Sequence, residues 1–554
     1  MKIIANRVWK KHNVLCLSIM INILIFTVLM LLFSPRFDTN DDIAMSNFVD
    51  GSRGTYDPHL IFINCLVGYL LKWLYMTFSI IPWYGVLQYA VMLVSLTALT
   101  YVMWQRVVHP YCRCAFVVCL VVVSYEGYIW MQFSRTSTIA TVAGVMLLLS
   151  NMFRNKLSWK QLGCGYILAI AGSFFRIEQF MVMVALLSGV GLFFVLRLIG
   201  EHDWKKKLAK CISIFAGLFV LVIGFYQWDQ SQYSSEEWKE YKEFNHLRSQ
   251  LWDYGFPSYK ENKDQCMELG VDDTTYNLFF RHVMIDSDRV TNDTFQGLID
   301  LKEKKQLDGK FFKGFIRTIF FNVYQIPAFF LALYAGLLWL FCNKRCWRET
   351  VTVIYEVFLI GIVYFYLYYQ GRYFLNRVDM GLWLAVAMVI FWMLDQKNDD
   401  FSLRSGIVSS LILLSVGLYV AYPRFKINID YSNKLHYQKQ FEEIGEDKEH
   451  LYLLKVKSLN LDWAYGPLDR LPEGVIQNLC PMGGWTCRTA SDNEMLRRYN
   501  IKKPFKEMIN SDKIYIIDDD INPTLAYIRK WYSPSCKAEL VKKIGNCPVY
   551  KIVT

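Results

Sequence analysis

Three carboxylates follow the first long apolar segment of the chain and lie within five residues of one another. Asp38, Asp41 and Asp42 belong to the segment FDTNDDIAM. In a helix these positions are i, i+3 and i+4, so the three carboxylates would share one face. Like charges this close raise the pKa of one member, which suits a general base near neutral pH. The same residues also fit a cap on a helix that begins at Ile43, with acidic groups at its positive end.

Further charged residues fall at the ends of apolar segments. An ionisable group at membrane depth costs about 2.5–3.5 kcal/mol on insertion scales, so these residues are not expected to face lipid. Arginines from separate loops would form an electropositive pocket that suits a phosphate group. Each arginine taken alone is also explained by snorkelling or by an ion pair within its own loop, such as Arg176 with Glu178 or Arg377 with Asp379. The candidates for substrate binding are Arg135, Arg176, Glu178, Arg372 and Arg377, with Arg372 and Arg377 preferred.

One histidine opens a later apolar segment. His59 stands in the sequence YDPH, where it fits a proton relay or a phosphate contact and equally a polar start to a helix. The segment His59–Ile81 is apolar but carries Lys72. We interpret it as a helix in the outer membrane interface, because a crossing here would invert every later loop.

The composition is that of a membrane protein. Of 554 residues, 54% are hydrophobic and 20% are charged, whereas soluble domains have about 45–50% and 25%. The formal charge of +11 comes from basic clusters between apolar segments and does not indicate nucleic acid as a partner. The sequence has no P-loop, G-x-G-x-x-G, H-E-x-x-H or G-x-S-x-G motif, and its 14 cysteines show no C-x-x-C spacing. ATPases, dehydrogenases, zincins and serine hydrolases are therefore disfavoured.

About eleven segments are predicted to cross the membrane. A span needs about 20 apolar residues because the hydrocarbon layer is roughly 30 Å thick. The predicted spans are Val14–Phe33, Trp83–Met103, Ala115–Tyr125, Thr138–Met152, Leu162–Phe175, Gln179–Leu196, Leu208–Tyr226, Val323–Cys342, Val351–Tyr369, Met380–Leu394 and Gly406–Tyr422.

The charges of the loops predict the topology. With the N-terminus in the cytoplasm, every predicted inside loop is basic, as the positive-inside rule requires. The first outside loop, 34–58, is instead rich in aspartate. This topology places the large aromatic loop 227–310 and the tail 423–554 on the outside.

The predicted organisation has two parts. Residues 1–422 form a multi-span transmembrane domain, and residues 423–554 form a small extracytoplasmic α/β domain, because strand-like runs alternate there with turns and helical stretches. The tail cysteines form two pairs that are near in sequence, which fits disulfides outside the cell and also fits free thiols. They are Cys480, Cys487, Cys536 and Cys547.

Together these features resemble the GT-C superfamily of integral membrane glycosyltransferases, of the bacterial surface-polysaccharide type. The likeness in motif is confined to the acidic pair Asp41-Asp42, and the likeness in architecture covers the whole chain. It lies in the cytoplasmic N-terminus, the acidic outside loop, the segment His59–Ile81, the many spans and the outside C-terminal domain. The tail has no W-W-D signature, since Trp463 stands in LDWAY, which argues against transfer of oligosaccharide to protein asparagine.

The resemblance implies an inverting transferase in the cell membrane. Its donor would be a sugar on polyprenyl phosphate, and its acceptor a cell-envelope glycan or a lipid-linked glycan. Asp41 or Asp42 would be the base, and the arginines would stabilise the departing phosphate. Some members use a divalent cation at the acidic loop, and the sequence does not decide this point. A polysaccharide polymerase or ligase, or a transporter of lipid-linked glycans, is the alternative.

Overall fold

The computed structural model of the chain describes residues 2–107, 110–154, 156–303, 305–323, 325–342, 346–372, 374–394, 415, 422 and 434–554. Up to residue 394 the fold is a bundle of long apolar helices with a group of short helices inserted before residue 303. The long helices are α1 (Lys2–Leu32), α4 (Trp83–Arg106), α5 (Pro110–Tyr128), α6 (Phe133–Met152), α7 (Trp159–Phe175), α8 (Ile177–Leu198), α9 (Trp204–Gln232), α15 (Pro327–Cys342), α16 (Trp347–Gln370) and α17 (Asn376–Met393).

The apolar helices confirm a polytopic membrane protein. Within the described residues, seven helices are long and apolar enough to cross a membrane. The pair α14 (Gly309–Val323) and α15 would make an eighth span, although the two helices meet at 93°. The seven are Asn13–Leu32, Trp83–Arg106, Phe133–Met152, Ile177–Leu198, Trp204–Gln232, Trp347–Gln370 and Asn376–Met393.

The count of eleven spans stays a prediction. The predicted spans Ala115–Tyr125 and Leu162–Phe175 correspond to α5 and α7, and α7 has only 17 residues. The predicted span Val323–Cys342 begins instead at Pro327, after the sharp bend. The predicted span Gly406–Tyr422 and the boundary between the two predicted domains lie almost wholly outside the described residues.

Helix α6 forms the centre of the bundle. It packs against α4, α7, α8 and α17, and almost all of its side chains are buried. Its closest neighbour is α7, because a Cβ added to Gly144 would strike the backbone of Ala169 and Gly165. Small residues at a helix interface permit this approach. By packing against its neighbours, α6 holds their ends in place, and several of the charged residues lie at these ends.

The segment predicted as the helix His59–Ile81 is only partly helical. Helix α3 covers Cys65–Thr77, and the Asn64 side chain caps it by accepting from the amide of Leu66. The predicted start at His59 is therefore wrong. A helix of 13 residues is about 20 Å long, which is too short to cross a hydrocarbon layer of roughly 30 Å. An interfacial position for α3 stays a prediction, and its exposed Trp73 is consistent with it.

The predicted outside loop 227–310 is a compact helical insertion. Helix α9 continues to Gln232, and four short helices follow it. Phe244, Leu251 and Phe279 of this insertion pack in one core with Met495 and Tyr527 of the tail. The insertion and the tail therefore pack as one body. The short helices are α10 (Glu236–Trp252), α11 (Lys263–Glu268), α12 (Asp273–Phe280) and α13 (Asn292–Asp300).

The tail contains a mixed five-stranded sheet with helices, as the alternation of strands and helices in the sequence indicates. The strand order is β4-β3-β5-β7-β6, with β3 parallel to β4 and β5, and β7 antiparallel to β5 and β6. The strands are β3 (Leu451–Leu454), β4 (Leu479–Pro481), β5 (Ile514–Ile517), β6 (Lys537–Ile544) and β7 (Cys547–Val553). The helices are α18 (Lys434–Glu446), α19 (Leu461–Ala464), α20 (Ala490–Arg498), α21 (Pro504–Glu507) and α22 (Asn522–Trp531).

The tail cysteines are buried free thiols. None of Cys480, Cys487, Cys536 and Cys547 is in a disulfide, and each is covered by the core of the tail. The sequence allowed either disulfides or free thiols at these positions, and the structure contains the free thiols.

Candidate functional site

The acidic segment is held at one end of the bundle by a short parallel pairing. Strand β1 (Arg36–Phe37) pairs with β2 (Trp130–Met131), and the amide of Asp38 donates to the carbonyl of Met131 at 2.9 Å. Helix α2 (Asn40–Val49) follows directly, with Thr39 as its N-cap residue. Asp41 and Asp42 thus occupy the first turn, where the helix dipole favours negative charge. The helix begins at Asn40, so the predicted start at Ile43 is wrong.

The three carboxylates do not share a face. Asp38 precedes the helix, and Asp41 and Asp42 contact different partners. The side chain of Asp42 is fully buried, and its Oδ1 accepts from Tyr84 Oη at 2.9 Å, Gln88 Nε2 at 3.1 Å and the amide of Phe133 at 3.0 Å. Burial raises the pKa of Asp42 to about 7, and the charge of Asp41 adds to the rise. Asp42 therefore anchors α2 against the start of α4 and α6 and does not reach solvent.

Asp41 is the accessible member of the pair. Its side chain is 19% exposed, and Arg377 Nη1 lies 3.5 Å from its Oδ2. The indole Nε1 of Trp485 donates to its Oδ1 at 2.9 Å, and Thr39 Oγ1 donates to its Oδ2 at 3.3 Å. Two elements from distant parts of the sequence therefore fix one carboxylate at the surface of the bundle end.

Asp38 belongs to a buried ion-pair group. Arg135 is fully buried, and its Nη2 lies 3.2 Å from Asp38 Oδ2 and 3.1 Å from Glu126 Oε2. Its Nη1 donates to the carbonyl of Trp130 at 2.5 Å. Two carboxylates neutralise this guanidinium away from solvent. Arg135 and Asp38 thus hold the acidic segment in place, and a substrate-binding role for either residue stays a prediction.

Arg176 and Glu178 lie at the junction of α7 and α8. Arg176 Nη1 donates to Ser134 Oγ at 2.7 Å, and its Nε lies 3.6 Å from Glu178 Oε2, as one reading of the sequence has it. Burial lowers the pKa of Arg176, Glu178 raises it, and the charges of Arg377 and Arg372 lower it further. The three arginines therefore share one electrostatic neighbourhood. Glu178 is 75% exposed, and a substrate-binding role for it stays a prediction.

Arg372 and Arg377 lie on either side of the α16–α17 junction. Gly371 ends α16 with a left-handed φ of 80°, which turns the chain towards the bundle end. Arg372 Nη1 donates to Tyr254 Oη of the helical insertion at 3.5 Å, and Arg377 faces Asp41. The pairing of Arg377 with Asp379 that the sequence allowed is replaced by the pairing with Asp41.

His59 lies beside the helical insertion. Its Nδ1 lies 2.6 Å from Asp57 Oδ1, and its Nε2 lies 3.2 Å from the carbonyl of Gln232. Its ring packs against Tyr233 and Trp238. Both ring nitrogens thus have partners within the protein, and His59 joins the segment before α3 to the end of α9. A role for His59 as a proton relay or a phosphate contact stays a prediction.

Sequence reasoning missed two residues at this site. Trp485 lies 444 positions from Asp41, and Arg248 of α10 is buried close enough to Asp41 for that charge to affect it. Burial lowers the pKa of Arg248, whereas Asp253, Tyr241 and Asp41 raise it. No local pattern in the sequence marks either residue.

The residues do not fit a divalent cation. The three carboxylates of the acidic segment face Arg135, Arg377 and Tyr84, so they do not converge on one point. Within the part of the chain that the structure describes, no three side chains of His, Cys, Asp or Glu lie close enough to hold a metal ion.

The site is therefore an accessible carboxylate beside three arginines. Asp41 can accept a proton, and Arg176, Arg372 and Arg377 supply positive charge from two helix junctions that meet at the same end of the bundle. Such a set suits a reaction in which a hydroxyl loses a proton while an anionic group departs.

The comparisons with known proteins identify no family. No family model matches the sequence, and no curated protein matches it. The solved structure of ArnT from Cupriavidus metallidurans bound to undecaprenyl phosphate is similar over 97% of both chains, with 11% identity and a TM-score of 0.32. This likeness is too low to support an argument, so membership of the GT-C superfamily stays a prediction.

Proposed function

We propose that the protein is a glycosyltransferase that moves a sugar from a polyprenyl-phosphate donor to an envelope glycan or a lipid-linked acceptor on the outer face of the membrane. The observation that carries the proposal is the half-buried carboxylate of Asp41 beside Arg377, at the end of an apolar helix bundle. A lipid-linked donor keeps its tail in the hydrocarbon and presents its phosphate and sugar at this level.

Asp41 is the proposed base. It takes the proton of the acceptor hydroxyl as the hydroxyl oxygen bonds to the anomeric carbon. The bond from that carbon to the phosphate oxygen breaks, and the electron pair leaves with the polyprenyl phosphate. A single displacement inverts the anomeric configuration. Asp42 is excluded from this role because its side chain is fully buried.

The arginines are proposed to bind the phosphate. Arg372 and Arg377 approach from one helix junction and Arg176 from another, so the developing negative charge would meet cations on two sides. Arg377 pairs with Asp41 in the structure. A donor phosphate would compete for Arg377, which would leave the Asp41 carboxylate available to the acceptor hydroxyl.

A transfer assay tests the proposal. The purified full chain in nanodiscs is given a panel of radiolabelled polyprenyl-phosphate hexoses, together with glycan from the envelope of a strain that lacks the gene. We expect Asp41→Asn to lower transfer by about 10²–10⁴-fold, which is typical for loss of a general base. The neighbouring exposed Asn40→Ala is the matched control and should retain transfer. Wild-type turnover by Asp41→Asn would contradict the assignment of the base.

The stability of the Asp41→Asn protein should be close to that of the wild type. The amide oxygen can still accept from Trp485, and the lost ion pair with Arg377 is partly exposed. Exposed pairs contribute about 0–1 kcal/mol. A loss of activity without a loss of folded protein therefore separates a chemical role from a structural one.

A further inference from the structure

A cavity lies between the helical insertion and the tail. Its volume is about 490 Å³, within the range of roughly 300–1,000 Å³ that is typical of small-molecule sites. Helix α10, the segment 285–293 and helix α20 form its walls. The cavity therefore lies in the region outside the helix bundle, and polar side chains dominate its lining. Its lining includes Glu240, Tyr241, Ser287, Arg488 and Asn493.

The charges around the cavity are largely compensated. Asp492 pairs with Arg53, and Glu237 pairs with Arg497. The other charged residues of the lining are Glu240, Asp293, Arg488 and Lys502, so carboxylate, amide and hydroxyl groups offer hydrogen-bonding partners without an excess of positive charge. This chemistry suits an uncharged ligand rich in hydroxyl groups and does not suit a phosphate.

Arg488 supplies a donor that the protein does not use. Its guanidinium donates to the carbonyls of Val290 at 2.9 Å and Met284 at 2.6 Å, and it stacks on Phe244 at 4.5 Å. Its buried Nε has no hydrogen-bond partner among the described residues. Buried donors are normally satisfied, so an oxygen atom from a ligand or from ordered water is the expected partner.

Two hydrogen bonds link one wall of the cavity to the proposed base. Tyr241 lines the cavity and donates from Oη to the carbonyl of Trp485 at 2.6 Å, and Trp485 in turn donates to Asp41. Tyr241, Phe244 and Arg248 follow one face of α10 at i, i+3 and i+7. Seven residues rise about 10 Å, so Arg248, which is close enough to Asp41 to sense its charge, lies a short distance from the cavity.

We propose that this cavity binds the acceptor as an uncharged oligosaccharide and directs one of its hydroxyl groups towards Asp41. This inference rests on the proposed function and specifies the chemistry of its second substrate. The donor then occupies the arginine side of Asp41, and the acceptor occupies the side of Trp485 and α10.

Binding measurements test the inference without relying on turnover. The probe is the neutral, delipidated glycan from the envelope of a strain that lacks the gene, added to the full-length chain in nanodiscs. We expect Asn493→Ala and Glu240→Gln each to raise the dissociation constant for this probe about tenfold, because each removes a hydrogen-bonding partner. In the transfer assay the same variants should raise KM for the acceptor.

Matched controls lie on the same helices. Glu494→Gln on α20 and Glu243→Gln on α10 change exposed carboxylates that do not line the cavity, and both should bind the probe as the wild type does. Ser287→Trp adds bulk at the exposed rim and should block binding. Equal affinity in the cavity variants, or no binding by the wild type, would overturn the inference. Either result would leave the assignment of Asp41 untouched, since Asp41→Asn tests that assignment separately.

Discussion

The fully buried Asp42 predicts an unusual dependence of stability on pH. Its Oδ1 accepts three hydrogen bonds, whereas its Oδ2 has no partner among the described residues. The neutral acid therefore fits this position better than the carboxylate does, and burial raises the pKa from 3.8 to about 7. The substitution Asp42→Asn replaces the acid with a neutral side chain of the same shape, which does not titrate.

The direction of the effect follows from proton linkage. Between about pH 4 and pH 7 the folded protein holds a proton on Asp42, whereas the unfolded chain does not. The contribution of this group to stability is therefore fully present below pH 4 and is lost as the pH rises through 7. The difference between a pKa of 3.8 in the unfolded chain and about 7 in the folded protein corresponds to a loss of folding stability on the order of 4 kcal/mol between about pH 4 and pH 7.

The assay compares unfolding of the wild type and Asp42→Asn in detergent from pH 4.5 to pH 8, with intrinsic fluorescence as the readout. Near pH 5 the two proteins should differ by only about 1–3 kcal/mol, the cost of one buried amide without a full set of partners. Towards pH 8 the variant should gain stability relative to the wild type. A difference that does not change with pH would refute the assignment of a buried, protonated Asp42. The variant should also retain sugar transfer, in contrast to Asp41→Asn.

Three further predictions concern the phosphate site, the topology and the bundle. Arg372→Ala with Arg377→Ala should reduce transfer far more than protein level, and near-normal activity of the double variant would remove both from the site. The native tail cysteines are buried, so the topology is tested with a cysteine introduced at exposed Ser535. If the tail lies outside, this cysteine should react with an impermeant maleimide in intact cells, and labelling only after lysis would place the tail inside. Gly144→Ala should destabilise the bundle by about 1–3 kcal/mol in a thermal unfolding assay through overpacking. Gly163→Ala, where the added methyl group meets open space, should be neutral, and equal losses in both would contradict this packing.

The sequence by itself determined the class of the protein. The length of an apolar segment can be read from the sequence alone, and comparison with the thickness of the bilayer shows whether the segment is long enough to span it. Helices α4, α16 and α17 accordingly match the predicted segments Trp83–Met103, Val351–Tyr369 and Met380–Leu394, with ends that differ by only a few residues. The same reasoning selected the acidic segment and the α16–α17 junction, because charges beside apolar runs are conspicuous in one dimension.

The tertiary structure decided which of these charges is available for chemistry. Asp41 and Asp42 are adjacent and identical in type, yet one is buried by partners 42, 46 and 91 positions away and the other meets Trp485. Arg135 and Arg377 both lie near the end of an apolar segment in the sequence, but only Arg135 is neutralised by two carboxylates in the structure. Burial and ion pairing depend on which distant segments pack together, so accessibility, and with it the pKa of a buried carboxylate such as Asp42, cannot be obtained from spacing along the chain.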